Sequence, residues 1–123
     1  MRAAAATLES SSCRDHAPYE WGGVFSTPSS AYTWVSQAVD GEYADPQMKL
    51  VVFALDAAEG IADKAPSVAT LMAGSCPAVY TQGSIPTPTA AGACYTLTFP
   101  TDASIDFNAI LATSGIDHVA IFT

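Results

Sequence analysis

Positive charge is scarce in this sequence. Four basic residues stand against twelve acidic ones, so the net charge is -8, and the basic residues are scattered along the chain. Nucleic acids are bound by clustered lysine and arginine, and anionic membrane surfaces attract the same clusters. The composition therefore argues against a nucleic-acid partner and against adsorption to a membrane surface.

Long apolar runs are also missing. The longest is Leu50 to Leu55, whereas a membrane-spanning helix needs about 20 apolar residues. We therefore expect a water-soluble protein without membrane insertion. The start of the chain, Met1-Arg2 and four alanines, is similar to the opening of a targeting peptide, but no apolar segment follows it. We expect residues 1–18 to form an irregular N-terminal extension.

Motifs for catalysis, metals and nucleotides are absent as well. The chain has no GxSxG, GxGxxG, CxxC or HExxH pattern, which removes the usual signatures of nucleophile, phosphate and zinc sites. The two histidines, His16 and His118, have no motif around them, and no histidine or methionine follows shortly after Cys94 as a blue-copper site requires. We expect no cofactor, and the sequence favours a non-enzymatic role without deciding it.

The residues that are present indicate a globular domain. Half of the 123 residues are hydrophobic and 13% are charged, which is far from the composition of disordered chains. A chain of this length is the size of one ordinary domain. We therefore expect a single β-rich domain over residues 19–123.

Short extended segments dominate this domain. About seven runs rich in β-branched and aromatic residues are separated by turn residues, and this pattern is typical of a small antiparallel β-sandwich or barrel. The fold class is all-β, or mainly β with one short helical region. The predicted strands are residues 19–25, 31–39, 48–55, 78–82, 94–99 and 116–122, and residues 105–112 are predicted to form either a further extended segment or an amphipathic turn.

Three of these segments carry specific expectations. Asp40-Gly41 is typical of a two-residue hairpin turn, which would pair residues 42–43 with 38–39. The run Leu50 to Leu55 predicts a strand buried on both faces, in the middle of the sheet. Residues 94–99 alternate between apolar side chains and threonine, which predicts a half-exposed strand.

The alanine-rich segment from Asp56 to Gly74 predicts the helical region. Asp56 is a candidate cap, and Gly74 is the expected stop. Pro66 is expected to interrupt the helix, with one turn before it and about two turns after it. Residues 83–92 have no periodic pattern and are predicted to form a loop.

The three cysteines bear on the cellular compartment. Cys76 and Cys94 bracket a turn-rich stretch and are predicted to form a disulfide, which leaves Cys13 in the N-terminal extension. The alternative is that all three are small apolar side chains without a bond. A disulfide would favour a secreted or lumenal protein in an oxidising compartment.

Two acidic groups are candidate sites. Asp40, Glu42 and Asp45 surround the predicted turn, where their carboxylates offer oxygen ligands for calcium. The competing interpretation is a solvated hairpin end. A second group before the first strand is a candidate for binding a metal or a partner's charge, or is a solvated tail. Its members are Arg14, Asp15, His16 and Glu20.

Aromatic residues concentrate in the first third of the chain. Trp21, Tyr32 and Trp34 are the candidate interaction residues, because tyrosine and tryptophan are enriched at protein interfaces. Core packing is the alternative for each of them. For His118 we expect a partly buried histidine whose polar atoms are satisfied.

These observations leave three classes of function. The first is a non-catalytic interaction or structural module, an accessory subunit of a larger protein assembly whose other chains add to its sheet. The second is a secreted or lumenal domain that binds a metal ion or a small ligand. The third is a hydrolytic enzyme whose site is assembled from dispersed residues.

Overall fold

The computed structural model describes residues 19, 21–39, 42–43, 45–56, 60–102 and 104–123. The predicted extension over residues 1–18 lies outside them, as does Cys13. Within the described residues the chain forms eight strands and one helix. In chain order these are β1 Gly22–Ser26, β2 Ala31–Ser36, β3 Gln47–Leu55, α1 Ile61–Ala73, β4 Ala78–Tyr80, β5 Gly83–Ile85, β6 Ala93–Thr98, β7 Phe107–Ala112 and β8 His118–Phe122.

The strands form two sheets. The large sheet has five strands in the order β1-β8-β3-β6-β4, and the small sheet has three in the order β2-β7-β5. Most neighbours are antiparallel, but β4 runs parallel to β6 and β5 runs parallel to β7. The strand β3 lies at the centre of the large sheet, as the run from Leu50 to Leu55 predicts.

The two sheets pack face to face around the main core. Alternate residues of β3, including Leu50 and Val52, point toward the small sheet, whose β2 and β7 contribute Trp34 and Phe107. Side chains of a strand alternate between its two faces, so each strand gives every second residue to this core. The buried members are Trp34, Leu50, Val52, Val79, Ile85, Leu97, Phe107, Ala109, Leu111, Val119 and Ile121.

A second core lies on the other face of the large sheet, under the helix α1. It contains the remaining alternate residues of β3, Val51, Phe53 and Leu55, together with Phe122 and the helix residue Val68. All of them are less than 5% exposed. The molecule therefore has three layers, helix, large sheet and small sheet, and β3 is buried on both faces.

The prediction of a small, mainly β fold is confirmed, with differences in detail. The structure has eight strands rather than about seven, its sheets are mixed rather than wholly antiparallel, and they do not close into a barrel. The unpredicted strand β5 occupies Gly83–Ile85, inside the predicted loop. A strand of three residues is too short to show an alternating pattern. The sequence therefore does not predict β5.

The helix differs from the prediction in two ways. It is continuous through Pro66, and its N-cap is Gly60 rather than Asp56, while Gly74 ends it as expected. Pro66 and Ala62 are both exposed, so water can solvate the carbonyl group of Ala62 that the proline leaves without an amide partner. The carboxylate of Asp63 accepts a hydrogen bond from the backbone N–H of Gly60 at 2.8 Å, which satisfies one amide at the helix start.

Two strand predictions also need comment. Val39 and Glu42 exchange two backbone hydrogen bonds of 2.8 and 3.1 Å, so the chain reverses where the hairpin is predicted. Asp40 and Gly41 themselves lie outside the described residues. On the second face of β6 the helix layer buries Cys94, which is 4% exposed, while Thr96 and Thr98 are half-buried.

No helix among the described residues is long and apolar enough to cross a membrane.

Two glycines with left-handed backbones offer a matched stability test. Gly92 has φ +80° and Gly115 has φ +79°, but a Cβ atom on Gly92 would collide with the ring of Phe53, whereas one on Gly115 meets nothing within 4 Å. We predict that Gly115→Ala lowers the free energy of unfolding by about 1 kcal/mol through backbone strain alone. Gly92→Ala should lower it by about 2–4 kcal/mol, because overpacking adds to the strain. Urea denaturation of both variants measures the difference, and equal losses would contradict the described packing of Phe53.

Candidate functional site

A groove of about 790 Å³ opens at one end of the sandwich. It lies where the first residues of β3, the segment after β2 and the end of α1 come together. The lining residues are Tyr19, Ser36, Gln37, Val39, Glu42, Tyr43, Asp45, Gln47, Met48, Lys49, Met72, Phe99 and Thr123. The lining includes aromatic and sulfur-containing residues and residues 47–49 of β3.

The strand β3 lines the groove with its first residues, because it extends beyond its neighbour β8. The strand β3 has nine residues and β8 has five. The pairing of the two strands runs from Leu55 opposite His118 to Val51 opposite Phe122. Residues 47–50 of β3 therefore extend past the end of β8, and no described strand pairs with them on that side.

The hydrogen-bond pattern shows which backbone groups face this gap. The N–H of Phe99 donates to the carbonyl oxygen of Pro46 at 3.0 Å, and the N–H of Ala54 donates to Thr89 at 2.8 Å. Residues of an antiparallel strand bond alternately to one side and the other, so the even-numbered residues of β3 bond toward β6. The N–H and C=O groups of Gln47 and Lys49 consequently point away from β6, into the groove.

Tyr19 and Trp21, the described residues before β1, lie on the other side of the gap. Trp21 and Thr123 exchange two backbone hydrogen bonds, of 3.3 and 2.9 Å. Tyr19 lies just before this pair, and its ring packs against Phe122 with centroids 4.7 Å apart. We call the space between residues 47–50 of β3 and these residues the strand slot, because no described strand occupies this position of the large sheet.

An aromatic pair forms the wall of the groove on the side of the small sheet. The rings of Tyr43 and Phe99 are stacked with centroids 4.8 Å apart, and Phe99 contacts Phe107 of the main core edge to face at 5.5 Å. The hydroxyl of Tyr43 donates to the carbonyl oxygen of Ile105 at 2.6 Å. The wall is therefore anchored in the core and to the loop after β6.

Carboxylates surround this end of the molecule. Glu42 and Asp45 line the groove, and Asp106 accepts a hydrogen bond of 3.2 Å from the side chain of Gln37, which also lines it. On the same loop, the hydroxyl and the backbone N–H of Ser104 donate to Asp102 and hold the pKa of that carboxyl below its ordinary value. Glu42 and Asp45 are thus the carboxylates that line the groove itself.

The groove also contains one lysine. The Nζ of Lys49 donates to the carbonyl oxygen of Met72 at 2.6 Å. The carbonyl groups of the last helical turn have no amide partner within the helix, and a cation is favourable there. The positive charge of Lys49 is thus directed at the end of α1 rather than at the carboxylates of the rim.

The predicted calcium residues are only partly placed by the structure. Glu42 and Asp45 both line the groove and both are exposed, while Asp40 lies outside the described residues. Within the described part of the chain, no three side chains of His, Cys, Asp or Glu are grouped as metal ligands.

The three candidate interaction residues lie in or beside the main core. Trp34 is 3% exposed, and its indole N–H donates to the hydroxyl of Ser36 at 3.0 Å. Trp21 is half-buried and contacts Trp34 edge to face at 6.4 Å. Tyr32 is also half-buried, and its hydroxyl accepts a hydrogen bond from the backbone of Ser29. Core packing accounts for Trp34. Sequence reasoning did not identify Tyr43 and Phe99 as the aromatic pair that lines the groove.

Of the other candidates, only His118 is described, and it does not line the groove. His118 is half-buried in β8, opposite Leu55 and Ser26. Its Nδ1 is buried and has no hydrogen-bond partner among the described residues, which differs from the satisfied histidine that the sequence predicts. Arg14, Asp15, His16 and Glu20 lie outside the described residues.

Cys76 and Cys94 form the predicted disulfide. Their Cα atoms are 4.8 Å apart, and the bond joins the segment after α1 to β6. The carbonyl oxygen of Cys76 accepts a hydrogen bond of 2.9 Å from the hydroxyl of Thr96, on the same strand β6. The disulfide thereby fixes the end of the helix layer to the large sheet.

Comparisons with known proteins identify no relative. No protein-family model matches the chain, and neither a curated protein nor a solved structure matches it significantly.

The disulfide yields a prediction for stability. In the chain-entropy description, closing a loop with a sequence separation of 18 residues stabilises a protein by about 3 kcal/mol. We expect reduction, or the double substitution Cys76→Ala and Cys94→Ala, to lower the free energy of unfolding by about this amount. Denaturant titration with and without reductant measures it. An unchanged midpoint on reduction would contradict a stabilising bond.

The strand slot yields a prediction for amide hydrogen exchange. The amides of Met48 and Leu50 bond toward β6, whereas those of Gln47 and Lys49 face the groove. We expect Gln47 and Lys49 to exchange at least about tenfold faster than Met48 and Leu50, because protection requires a hydrogen bond that must open. Residue-resolved exchange by NMR measures this alternation. Uniform protection over residues 47–50 would show that the slot is already filled.

Proposed function

We propose that this protein is a non-catalytic interaction module, an accessory subunit of a larger protein assembly, and that the strand slot is where another chain binds. The observation that carries the proposal is the edge of β3 over residues 47–50, with which no described strand pairs on the side of β8. An extended segment placed there would continue the large sheet by strand addition.

The backbone geometry supports binding of a polypeptide. The N–H and C=O groups of Gln47 and Lys49 are two residues apart on one edge of the strand, which is the spacing that an antiparallel partner strand satisfies. Each net backbone hydrogen bond contributes about 0.5–1.5 kcal/mol. A short segment therefore gains affinity from the main chain independently of its sequence.

The side chains that border the slot also support the proposal. On one face of the large sheet the slot is bordered by Tyr19 and Met72, and on the other by Met48 and the stacked pair of Tyr43 and Phe99. The side chains of an added strand alternate between these two faces. Both sets therefore meet apolar surface, which gives the slot a means of selecting partners.

The disulfide supports an oxidising compartment. Because bonds such as Cys76–Cys94 form and persist in oxidising environments, we place the protein in a secreted or lumenal assembly.

The capacity of the slot to accept a strand is testable without a known partner. We would append to Thr123 a short tail that alternates threonine and valine. In the register of β8 on β3, the first and third appended residues lie opposite Lys49 and Gln47. We expect the tail to raise the free energy of unfolding by about 1–2 kcal/mol through the added backbone hydrogen bonds. The amide of Lys49 should become protected from exchange.

The matched control is a tail of the same length with proline at the first and third positions, because proline has no N–H to donate to β3. This control should leave both stability and exchange unchanged. Equal stabilisation by the two tails, or a Lys49 amide that still exchanges rapidly beside the threonine–valine tail, would contradict the proposal that the slot accepts a strand.

A further inference from the structure

We propose that Thr87 and Thr89, in the loop between β5 and β6, are acceptors for O-linked sugars. The loop contains the run Pro86-Thr87-Pro88-Thr89, and Thr87 is the one threonine of the sequence with a proline on each side. Segments that combine threonine with proline are typical of O-glycosylated proteins. The inference is independent of strand binding, because these residues do not line the groove, but it rests on the proposed oxidising compartment.

The prolines give this loop an extended backbone. A residue that precedes proline is biased away from helical geometry, which applies to Ile85 and Thr87, and the rings of Pro86 and Pro88 hold φ at about −65°. Residues 86–89 accordingly belong to neither helix nor strand. An enzyme that binds its acceptor as an extended chain meets the loop already in that form, which lowers the entropy lost on binding.

The loop is fixed to the protein on both sides of its exposed threonines. Ile85 is 1% exposed in the main core, and Pro88 is buried. The carbonyl oxygen of Thr89 accepts a hydrogen bond of 2.8 Å from the N–H of Ala54 in β3. The side chains of Thr87 and Thr89 are nevertheless exposed. A modifying enzyme can therefore reach both hydroxyl groups without unfolding the loop.

A second Thr-Pro pair shows what the structure adds to the motif. Thr27 precedes Pro28, but Thr27 is 3% exposed and its hydroxyl donates to the carbonyl oxygen of Ile116 at 2.7 Å. This hydroxyl group is buried in a connection between two loops and is not accessible to an enzyme. The same dipeptide is thus a structural element at residues 27–28 and an accessible acceptor at residues 87–88.

The proposed reaction is a glycosyl transfer from a sugar that is linked to a nucleotide phosphate or a lipid phosphate. The threonine Oγ1 attacks the anomeric carbon of that sugar, and a new C–O bond forms. The bond from the anomeric carbon to the phosphate oxygen breaks, so the phosphate carries away the bonding electron pair. The hydroxyl proton passes to a base of the glycosyltransferase, and no group is oxidised or reduced.

The compartment and the charge of the protein favour a sugar over a phosphate. The disulfide between Cys76 and Cys94 is typical of exported proteins, and export is the route on which proteins receive O-linked sugars. The chain already has a net charge of -8, to which a phosphate would add about -1.5 to -2. A neutral sugar adds a solubilising group without further repulsion.

The modified loop is distant from the groove. The carbonyl oxygen of Thr89 binds Ala54, near the end of β3, whereas the groove is lined by residues 47–49 at its start. The separation of Gln47 and Ala54 along one extended strand corresponds to roughly 20 Å. Sugars on this loop therefore leave the groove accessible.

Peptide mapping of the protein purified from its natural source tests the inference. After reduction, chymotryptic cleavage beyond Tyr80 and Tyr95 releases residues 81–95, which contain both acceptors. Mass spectrometry with electron-transfer fragmentation, which preserves glycosidic bonds, should locate sugar residues on Thr87 and Thr89. It should find none on Thr27. Sugar on Thr27 with an unmodified loop, or a phosphate in place of sugar on Thr87, would overturn the inference.

Three variants expressed in the same host confirm the assignment. The double substitution Thr87→Val and Thr89→Val should remove all sugar mass from residues 81–95, whereas Thr87→Ser with Thr89→Ser keeps the hydroxyl groups and should retain it. The matched control is Thr70→Val, which removes an exposed threonine in the helix α1 and should leave the mass of the sugar unchanged. Sugar mass that persists on this peptide in the valine variant contradicts the inference.

The state of the cysteines separates this inference from the proposed compartment. If residues 81–95 carry no sugar in a natural protein whose Cys76–Cys94 bond is formed, the inference fails while the oxidising compartment stands. If both cysteines are free thiols and the loop is unmodified, the compartment and the inference fail together.

Discussion

The double burial of β3 is the constraint on which the rest of this structure depends. Val51, Val52 and Phe53 are each at most 1% exposed, although successive side chains of a strand point in opposite directions. Apolar surface is therefore required on both sides of the large sheet, and the helix and the small sheet provide it. Burying a side chain of this size contributes about 1.5–3 kcal/mol, so the central strand stabilises both interlayer contacts at once.

The strand β3 is enclosed over its second half, but its first half is open on one edge. The strand β3 has nine residues and β8 has five. The additional residues of β3 lie at the end of the sheet where the acidic loops and the aromatic pair of Tyr43 and Phe99 are found. The candidate site thus lies where the described pairing of β3 with β8 stops, next to the pair of Val51 and Phe122.

Sequence reasoning succeeds here where a signal is local and strong. The uninterrupted apolar run of β3 predicts the central strand, and the spacing of Cys76 and Cys94 around turn residues predicts their bond. It fails where the signal depends on tertiary context. Pro66 is accommodated because its side of the helix faces solvent, and β5 is too short to show a period. The strand slot was not predictable, because it follows from the register between β3 and β8, which no single segment encodes. Whether Asp40, Glu42 and Asp45 hold calcium stays a prediction.

The bond between Lys49 and the carbonyl group of Met72 has a mechanical consequence. Lys49 belongs to the exposed half of β3, while Met72 lies in the last turn of α1, a few residues before the covalent link from Cys76 to β6. The helix α1 is therefore joined to β3 by a side-chain hydrogen bond and to β6 by a covalent bond. Separating β3 from β6 at this end of the sheet would also disturb the helix layer, because α1 is attached to both strands.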